Sequence, residues 1–334
     1  MFLGDKMKNK YVGVDLGSSN LIIYLPSKGI IYNEPNIVAI DNQAKKVLDV
    51  GYLALKMAGK EQGHVEVVRP IENGVVSSIT KAVILFNEIL KNIKKTKLFE
   101  KTTVVVSIPS ELNEVNILAI KKIFKDLGAS DIELVTQSYL ALFGLENIAT
   151  STRGNMLVTI GGGCSDIVIS AGTNILVNKR SSFSGKSVDY AITRYLRKKH
   201  QLLIGDKTSE YIKMKIGSLE SFPENRLLEV AGRDLITALP KSVIISTMEI
   251  KQAITPTVNT LLETITDCLE LTNPEVSSDI IESGIIICGG GALLGGLRDY
   301  LESHLNIVVR LSSEPTYSVI NGIKNYILLD PKKK

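Results

Sequence analysis

Two stretches of the chain, 11–24 and 157–170, repeat one pattern of apolar run, tight turn and apolar run. The first reads YVGVDLGSSNLIIY and the second reads LVTIGGGCSDIVIS. Both turns are rich in glycine and hydroxyl-bearing residues, which is typical of two strands joined as a hairpin. Each hairpin opens one half of a chain that mixes strand and helix patterns, so we predict an α/β protein made of two duplicated domains. A ligand is then expected in a cleft between the domains, where the two loops can face each other.

Apolar periodicity predicts the remaining elements. Pro256 is expected to kink or divide a long helical pattern. After the first hairpin the patterns predict a strand within 29–39, a helix at 79–94, a strand at 104–108, a helix ending at Gly128, a buried strand at 132–135 and a helix from about 138; after the second they predict helices at 187–202, 208–219 and 246–270 and a strand at 285–288.

Composition excludes several classes of function. With 44% hydrophobic and 22% charged residues, the chain is typical of globular proteins. The net charge is only +4, without an aromatic-rich basic stripe, so no nucleic-acid partner is expected. The scattered cysteines and histidines predict neither a disulfide framework nor a metal cage of side chains. No apolar run reaches the roughly 18 residues of a spanning helix, and no signal peptide is evident, which favours the cytoplasm or a membrane surface.

Three glycine-rich turns are the candidate binding loops. Backbone N–H groups that are not covered by bulky side chains can wrap the oxygens of a phosphate. A single turn of this kind is more often a tight connection without a ligand, but two matched copies favour phosphate binding. The glycines of the third turn would let a planar base lie close to the backbone. The predicted binding residues are Gly17, Ser18, Ser19 and Asn20 in the first loop, Gly161, Gly162, Gly163, Cys164 and Ser165 in the second, and Gly289, Gly290, Gly291 and Ala292 in the third.

Asp15 lies near the end of the first strand, and Thr159 occupies the matching place in the second hairpin. A carboxylate on an apolar strand is costly unless it binds a cation. Magnesium held through water is the natural partner where phosphates lie beside it. Neither loop fits GxxxxGK[ST] or GxGxxG, so the P-loop and Rossmann interpretations fail.

The ordered loops DLGSSN, IGGGCSD and CGGGALLGGL resemble the two phosphate motifs and the adenosine motif of the actin–chaperone–sugar-kinase superfamily. The stretches IIYNEPNIVAI, VVRPIENGVV and EVAGRDLITALPKSVIIS are similar to the MreB family of bacterial actins. The resemblance covers nearly the whole chain and implies an actin-like fold around a cleft for ATP or ADP with Mg²⁺. It implies subdomain IA at 1–32, 69–149 and 314–334, IB at 33–68, IIA at 150–181 and 246–313, and IIB at 182–245.

The same resemblance implies partners and further binding residues. Chains of this family form paired, antiparallel protofilaments at the inner face of the cell membrane, so we expect a homopolymer that serves cell shape or motility. Whether it also mixes with related chains stays open. Glu210 and Lys213 match a ribose-binding Glu-x-x-Lys motif, whose spacing places both side chains on one helix face.

This chain departs from the family pattern where catalysis is expected. The usual DIGGGTTD reads TIGGGCSD at 159–166, which leaves Asp15 and Asp166 to hold Mg²⁺ through water. Gln137 stands where the family has its catalytic glutamate, and Lys186 replaces an acid. We therefore assign Gln137, Asp15 and Thr159 as the catalytic positions and expect weak or slow ATP hydrolysis. The alternative is that a neighbouring group compensates and turnover is ordinary for the family.

A basic stretch, KNIKKTKLFEK at 91–101, carries the apolar pair Leu98 and Phe99. If this stretch is an exposed loop, the pair can enter a layer of lipid headgroups while the lysines meet anionic lipid. Some members of the family insert a similar Leu-Phe loop. The alternative is that the pair caps the core. The chain ends, with Phe2 and Leu3 and with the lysines at 332–334, could add to such contact.

Two other classes within the superfamily must be weighed. A soluble small-molecule kinase needs a catalytic acid beside its acceptor pocket, but the changes at 137, 159 and 186 all remove acids. A chaperone ATPase would carry a substrate-binding domain after residue 330, which this sequence does not contain. The sequence therefore favours a polymerising, nucleotide-binding protein.

Overall fold

The computed structural model describes residues 11–72, 75–145, 152–220 and 224–329. The chain divides into two compact units, the first formed by Met1–Ala149 with Tyr317–Lys334 and the second by Thr150–Thr316. Each unit has its own apolar core. The division into four subdomains within these units stays a prediction.

The described part of the chain alternates strands and helices throughout. The strands are β1 Tyr11–Leu16, β2 Asn20–Leu25, β3 Gly29–Pro35, β4 Val38–Asp41, β5 Lys46–Val50, β6 Val65–Val68, β7 Ile71–Glu72, β8 Val75–Val76, β9 Thr103–Ile108, β10 Asp131–Thr136, β11 Gly154–Ile160, β12 Ser165–Ala171, β13 Asn174–Ser181, β14 Leu202–Leu203, β15 Leu227–Asp234, β16 Pro240–Ser246, β17 Ile285–Cys288 and β18 Val309–Leu311. The helices are α1 Gly51–Met57, α2 Ile79–Asn92, α3 Glu114–Asp126, α4 Gln137–Gly144, α5 Gly185–His200, α6 Asp206–Ile216, α7 Thr247–Glu270, α8 Pro274–Ser283, α9 Leu297–Leu305 and α10 Ser318–Leu329, with short 3₁₀ segments at Gly290–Leu293 and Pro315–Tyr317.

The five-stranded sheets of the two units share one topology. Their strand orders are β10-β9-β1-β2-β3 and β13-β12-β11-β17-β18. In each sheet the hairpin strands pair antiparallel, whereas the first hairpin strand also pairs parallel with a later strand, β9 or β17. This pairing confirms the duplicated α/β fold that the repeated hairpin predicts.

Each unit also has a smaller three-stranded sheet. In the sequence, this sheet lies between the hairpin and the later strand that pairs parallel with it. In the first unit this sheet has the order β5-β4-β6, and in the second β14-β15-β16. Parallel pairing requires a crossover connection, and both small sheets lie within these long crossovers. The predicted strand within 29–39 is in fact two strands, since β3 belongs to the large sheet and β4 to the small one.

Local sequence signals explain where several helices begin. Ser78 accepts a hydrogen bond from the backbone N–H of Lys81 at the start of α2. Ser246 and Glu249 form a reciprocal capping box at the start of α7. Such caps satisfy backbone donors that have no partner within the helix and contribute about 0.5–2 kcal/mol each.

The structure corrects two sequence predictions about breaks and burial. Helix α7 is not divided at Pro256 and runs through it as one helix. Its buried side chains lie on both sides of the proline, at Ile254 and Val258 among others, so packing on the core offsets the lost hydrogen bond. The strand predicted as buried at 132–135 forms as β10 but is only half-buried, because it lies at the edge of its sheet.

The prediction that Leu98 and Phe99 are exposed is also wrong. Phe99 is fully buried in the first unit. Its ring packs edge-to-face against Phe86 and Phe124, with ring centres 5.9 and 5.5 Å apart. Leu98 packs against the same core. The alternative, in which the pair caps the core, is therefore correct, because an aromatic ring gains more from a dry aromatic cluster than from exposure beside lysines.

Within the described residues, none of the helices is both long and apolar enough to cross a membrane. The chain ends that carry Phe2, Leu3 and the final lysines lie outside the described residues.

We expect Phe99→Ala to lower the free energy of unfolding by about 3–5 kcal/mol, because it removes one ring from a closed three-ring cluster and leaves a cavity. Urea unfolding measures the loss. Leu118→Ala is the matched control, since Leu118 is 64% exposed and the change should cost little. Equal effects of the two substitutions would contradict burial of Phe99.

Candidate functional site

The first loop, residues 17–19, lies at the carboxyl end of β1. There β1 pairs with β9 so that Asp15 lies beside Ser107. The Ser107 hydroxyl donates to Asp15 Oδ1 at 2.5 Å and accepts from the backbone N–H of Leu16 at 3.0 Å. The carboxylate predicted from the sequence is thus held in place by a residue that no motif indicated.

Two further residues that the sequence analysis missed hold the first loop. The amide of Asn36, which is fully buried, donates to Gly17 O at 3.2 Å and to Ile71 O at 2.8 Å. The Arg69 guanidinium donates to the carbonyls of Ser18 and Ser19 at 3.5 and 3.3 Å. Both lie in stretches that are similar to the family, IIYNEPNIVAI and VVRPIENGVV, which was the available signal.

Contacts within the first loop limit which of its groups can bind a ligand. A side chain at Gly17 would collide with the carbonyl of Asn20, so the turn requires glycine. The Asn20 amide already donates to Asn33 Oδ1 at 3.2 Å. The Asn20 amide is thus partly engaged, and the turn offers its backbone N–H groups to a ligand.

Burial raises the pKa of Asp15 to about 6, and the hydrogen bond from Ser107 opposes this rise only in part. A carboxylate in such a place is stabilised by a nearby cation. This environment fits a magnesium ion held through water next to a phosphate. Asp15 is therefore the residue that would hold the metal in the first unit.

Gln137 is the first residue of α4, directly after β10. In the parallel register, Val135 lies beside Ser107, which lies beside Asp15. Val135 is thus two strands away from Asp15, about 10 Å by the usual strand spacing. Gln137 follows two residues later, at the same carboxyl ends of the strands. The buried hydroxyls of Ser110 and Ser138, 3.4 Å apart, join the end of β9 to the start of α4.

The second loop, residues 161–164, occupies the corresponding place in the second unit. It is closed by the Gly161 N–H, which donates to Cys164 O at 2.9 Å. Thr159 lies beside Cys288 of β17, as Asp15 lies beside Ser107 of β9. The Thr159 hydroxyl and the Cys288 thiol are 3.4 Å apart and buried. The pair of side chains that is a carboxylate and a hydroxyl in the first unit is thus a hydroxyl and a thiol in the second.

The side chains of the second loop are less available to a ligand than predicted. The buried Ser165 hydroxyl donates to Phe183 O at 2.7 Å, so it serves the fold. Burial and the charge of Asp166 raise the pKa of the Cys164 thiol to about 12, which keeps it neutral and a weak donor. Gly161, Gly162 and Gly163 remain as the backbone donors.

Asp166 fits a metal less well than Asp15 does. It is buried, and in the antiparallel register it lies opposite Arg180 on β13. A neighbouring guanidinium competes with a metal for the carboxylate. Among the described residues, no three His, Cys, Asp or Glu side chains converge to form a metal cage.

The third loop packs against the end of β11, directly before the second loop. Gly289 has φ of +85°, and a side chain there would collide with the Ile160 carbonyl. A side chain on Gly291 would collide with the Ile160 side chain. These two glycines are required by close approach of the chain itself. Gly290 is more open, with Thr316 Cγ2 3.9 Å from its Cβ position, so it offers the best approach for a planar base.

Helix α5 begins directly on the second loop. The Gly185 and Lys186 N–H groups donate to the carbonyls of Gly161 and Gly162 at 3.0 and 2.9 Å. The Lys213 ammonium forms an ion pair with Asp189 at 2.9 Å and donates to Gly185 O at 3.0 Å. Lys213, which was predicted to bind ribose, is thus bound to two residues of α5 beside the loop.

Glu210 is exposed on α6. The charges of Glu210 and Asp206 add to burial in raising the pKa of Asp189, and Lys213 opposes the rise. Glu210 therefore lies close enough to the Lys213–Asp189 pair to affect it, on the solvent side.

Two copies of one sheet, each with a glycine loop after its central strand, define an actin-like α/β protein. A family model described as MreB/Mbl protein matches residues 9–332, and the chain belongs to this family of cell-shape cytoskeletal proteins.

Individual relatives agree with this assignment. The cell shape-determining protein Mbl of Bacillus subtilis (strain 168) is 32% identical over 330 residues, 97% of this chain and 98% of the relative. The crystal structure of MreB 5 of Spiroplasma citri bound to AMPPNP matches with a TM-score of 0.90 at 29% identity and covers 95% of each chain. The MamK double helical filament matches with a TM-score of 0.80, covering 96% of this chain and 99% of that chain, and at 19% identity it shows the fold alone.

We expect Asp15→Asn to stabilise the nucleotide-free and metal-free protein at pH 7.5 by about 1–3 kcal/mol. The raised pKa means that the folded state holds this proton more tightly than the unfolded chain. Ionisation of Asp15 therefore costs stability as the pH rises through 4 to about 6, and asparagine avoids this cost. The gain should vanish near pH 4.

Urea unfolding of both proteins at several pH values measures the difference. Asp126→Asn is the control, because Asp126 belongs to a surface pair with Lys122 and should show no such gain. Equal effects of Asp15→Asn at pH 4 and at pH 7.5 would contradict the raised pKa.

Proposed function

We propose that this chain is an ATP-binding bacterial actin that polymerises and hydrolyses ATP slowly. One observation carries the proposal: the two units present matched glycine loops at the same place in the same sheet topology. The proposal includes the four subdomains with the boundaries expected from the sequence.

Nucleotide binding is supported by the donors of these loops. Backbone N–H groups around Gly17 and Gly161–Gly163 suit phosphate oxygens, and Gly290 suits a base. The Spiroplasma citri relative was crystallised with AMPPNP. In this proposal Asp15 holds Mg²⁺ through water, and the ion would neutralise phosphate charge.

Slow hydrolysis is supported by the groups beside the loops. Gln137 can orient a water by donating and accepting hydrogen bonds, but it cannot accept the proton of that water, a role worth roughly 10²–10⁴-fold in rate. Thr159 contributes no charge, and its hydroxyl contacts Cys288. The site therefore retains binding groups and lacks two acids that would serve the chemical step.

Wild-type protein should pellet with ATP or AMPPNP and Mg²⁺ while releasing phosphate slowly. We expect the triple substitution Gln137→Glu, Thr159→Asp and Cys288→Ser to raise phosphate release by about 10-fold or more, because it restores a base and installs the Asp15–Ser107 arrangement in the second unit. Sedimentation and phosphate release on one sample measure both properties.

Thr159→Ser alone is the control and should leave the rate unchanged. A wild-type protein that never pellets with any nucleotide would overturn the filament proposal and favour a soluble kinase. Rapid phosphate release by wild-type protein would overturn slow hydrolysis.

A surface at one end of the second unit supports self-association. We call it the basic end; it comprises Leu235, Ile236 and Leu239 of the β15–β16 turn with Arg197 and Lys198 of α5. Ile236 and Leu239 are 74% and 64% exposed. The turn is rigid, since Asp234 accepts from the N–H groups of Ile236 and Thr237. Leu235 N–H donates to Gln201 O, which joins the turn to the end of α5.

The end of α5 contacts the first turn of α7, where Lys199 pairs with Glu249 at 3.0 Å. A complementary surface, the acidic end, lies around the other end of α7 and comprises Glu270, Leu271, Glu275 and Ile281. Leu271 and Ile281 are 61% and 63% exposed. Helix α7 has 24 residues, so its ends are about 36 Å apart. Apolar patches of opposite charge on opposite ends favour head-to-tail contact, which yields a filament when the rotation does not close a ring.

Charge exchange tests this contact. We expect Arg197→Glu/Lys198→Glu protein and Glu270→Lys/Glu275→Lys protein each to pellet poorly alone, since like charges then meet in every contact. A mixture of the two should pellet better than either, because every contact between unlike chains again joins opposite charges. Lys207→Glu is the control for net charge. A mixture no better than its components would contradict the proposed contact.

Membrane association remains part of the proposal, but lysines rather than an apolar pair now make the contact. Leu98 and Phe99 serve the core, but Lys91, Lys94 and Lys97 around them are exposed. Lysines near an anionic lipid surface contribute about 1 kcal/mol each, and a polymer repeats this weak contact many times. We therefore propose peripheral, electrostatic contact with the inner face of the cell membrane.

A further inference from the structure

A cleft of about 550 Å³ lies at one edge of the five-stranded sheet of the first unit. We call it the edge cleft; it is bounded by β3, which is the outermost strand of that sheet, by the end of β5, by α1 and by the end of α2. None of the described glycine-loop residues lines it. Its volume is in the range of small-molecule sites, which combine apolar walls with a few polar groups.

Two half-buried carboxylates line the edge cleft. Glu34 Oε2 accepts a hydrogen bond from the backbone N–H of Tyr52 at 3.1 Å, and Glu34 approaches Gly51 so closely that no side chain fits there. Asp49 Oδ1 accepts from the N–H of Val50 at 3.1 Å. Among the described residues, neither carboxylate forms an ion pair. Two fixed negative charges in a partly dry cleft favour a bound cation.

The hydroxyl of Tyr32 points to a ligand independently of these charges. Tyr32 lines the cleft, is only 7% exposed, and lies on the same face of β3 as Glu34, two residues away. Its buried hydroxyl has no hydrogen-bond partner among the described residues. Burial and the charge of Glu34 raise the pKa of Tyr32, so the hydroxyl lies near the Glu34 carboxylate. An unpartnered buried hydroxyl costs stability, and a ligand that donates a hydrogen bond to it removes this cost.

The remaining walls of the cleft suit an aliphatic chain. Ile30 of β3 and Leu53 of α1 line it with exposed apolar side chains, and Val50 adds a buried one. The exposed ring of Tyr52 can contact a cation through its face. Apolar walls beside two unpaired carboxylates favour a ligand that carries both methylene groups and positive charge.

We propose that the edge cleft binds a small linear aliphatic diamine or polyamine. Its ammonium groups pair with the carboxylates of Glu34 and Asp49 through charge-assisted hydrogen bonds, and one of them donates to the Tyr32 hydroxyl. Its methylene groups lie on the apolar walls. A neutral ligand of the same length leaves both carboxylates unpaired and binds poorly. This proposal does not depend on the proposed nucleotide binding.

Calorimetric titration of the full chain with putrescine and with 1,4-butanediol tests the proposal. We expect putrescine to bind with a Kd of about 1 mM or tighter and butanediol not to bind at about 10 mM. Glu34→Gln/Asp49→Asn should weaken putrescine binding by about 10-fold or more, because it removes both charges. The amide oxygens can still accept from the N–H groups of Tyr52 and Val50, so the fold should be kept.

Glu114→Gln/Asp131→Asn is the matched control. It removes the same charge, and Asp131 lies on β10 at the opposite edge of the same sheet. Like Asp49, Asp131 accepts from the N–H of the next residue, Ile132, at 2.9 Å. Putrescine affinity of this variant should equal that of wild-type protein.

Tyr32→Phe separates a role in binding from a role in folding. Without putrescine its Tm should be unchanged or raised, because the substitution removes an unpartnered buried hydroxyl. Its affinity for putrescine should nevertheless fall by about 3-fold or more. A lowered Tm with unchanged affinity would show that the hydroxyl serves the fold and would overturn its contact with the ligand.

Three results would overturn the amine site as a whole. The first is that wild-type protein does not bind putrescine at about 10 mM. The second is that butanediol binds as well as putrescine, because the carboxylates then contribute nothing. The third is that both double variants lose affinity equally, because putrescine then only screens the charge of the surface.

Discussion

The pairing of one central strand on both its sides is the constraint on which the rest of this structure depends. In each unit the central strand, β1 or β11, has an antiparallel hairpin partner on one side and a parallel partner on the other. The hairpin turn and the carboxyl end of the parallel strand therefore lie side by side. There a polar side chain of the central strand faces a hydroxyl or a thiol from the parallel strand, at positions 107 and 288.

One backbone arrangement thus carries two different chemistries. Around Asp15 the environment favours a cation, because burial raises the pKa of the carboxyl. In the second unit Thr159 holds the same position and is neutral, and its buried hydroxyl contacts the Cys288 thiol. The environment of the first position therefore favours a nearby cation, whereas that of the second does not.

Much of the fold could be predicted because its signals are local. Repeated hairpins, helical stripes and caps depend on residues close in sequence, so element types and approximate bounds followed from the pattern. Predictions of burial were weaker. The lysines before Phe99 indicated an exposed loop, yet two distant rings, Phe86 and Phe124, decide its position. Likewise Pro256 signals a break, but core contacts on both sides keep α7 continuous.

The glycine loops and Asp15 were evident from sequence alone, because each is a matter of which residue follows which strand. Their partners were decided by tertiary structure. Ser107 meets Asp15 from 92 positions away, and Cys288 meets Thr159 from 129. No periodicity or motif encodes such pairs, since they arise only when a parallel strand returns through a long crossover and sets the register. Chain order therefore sufficed to locate the loops, whereas the electrostatic character of each depends on residues that only folding brings beside it.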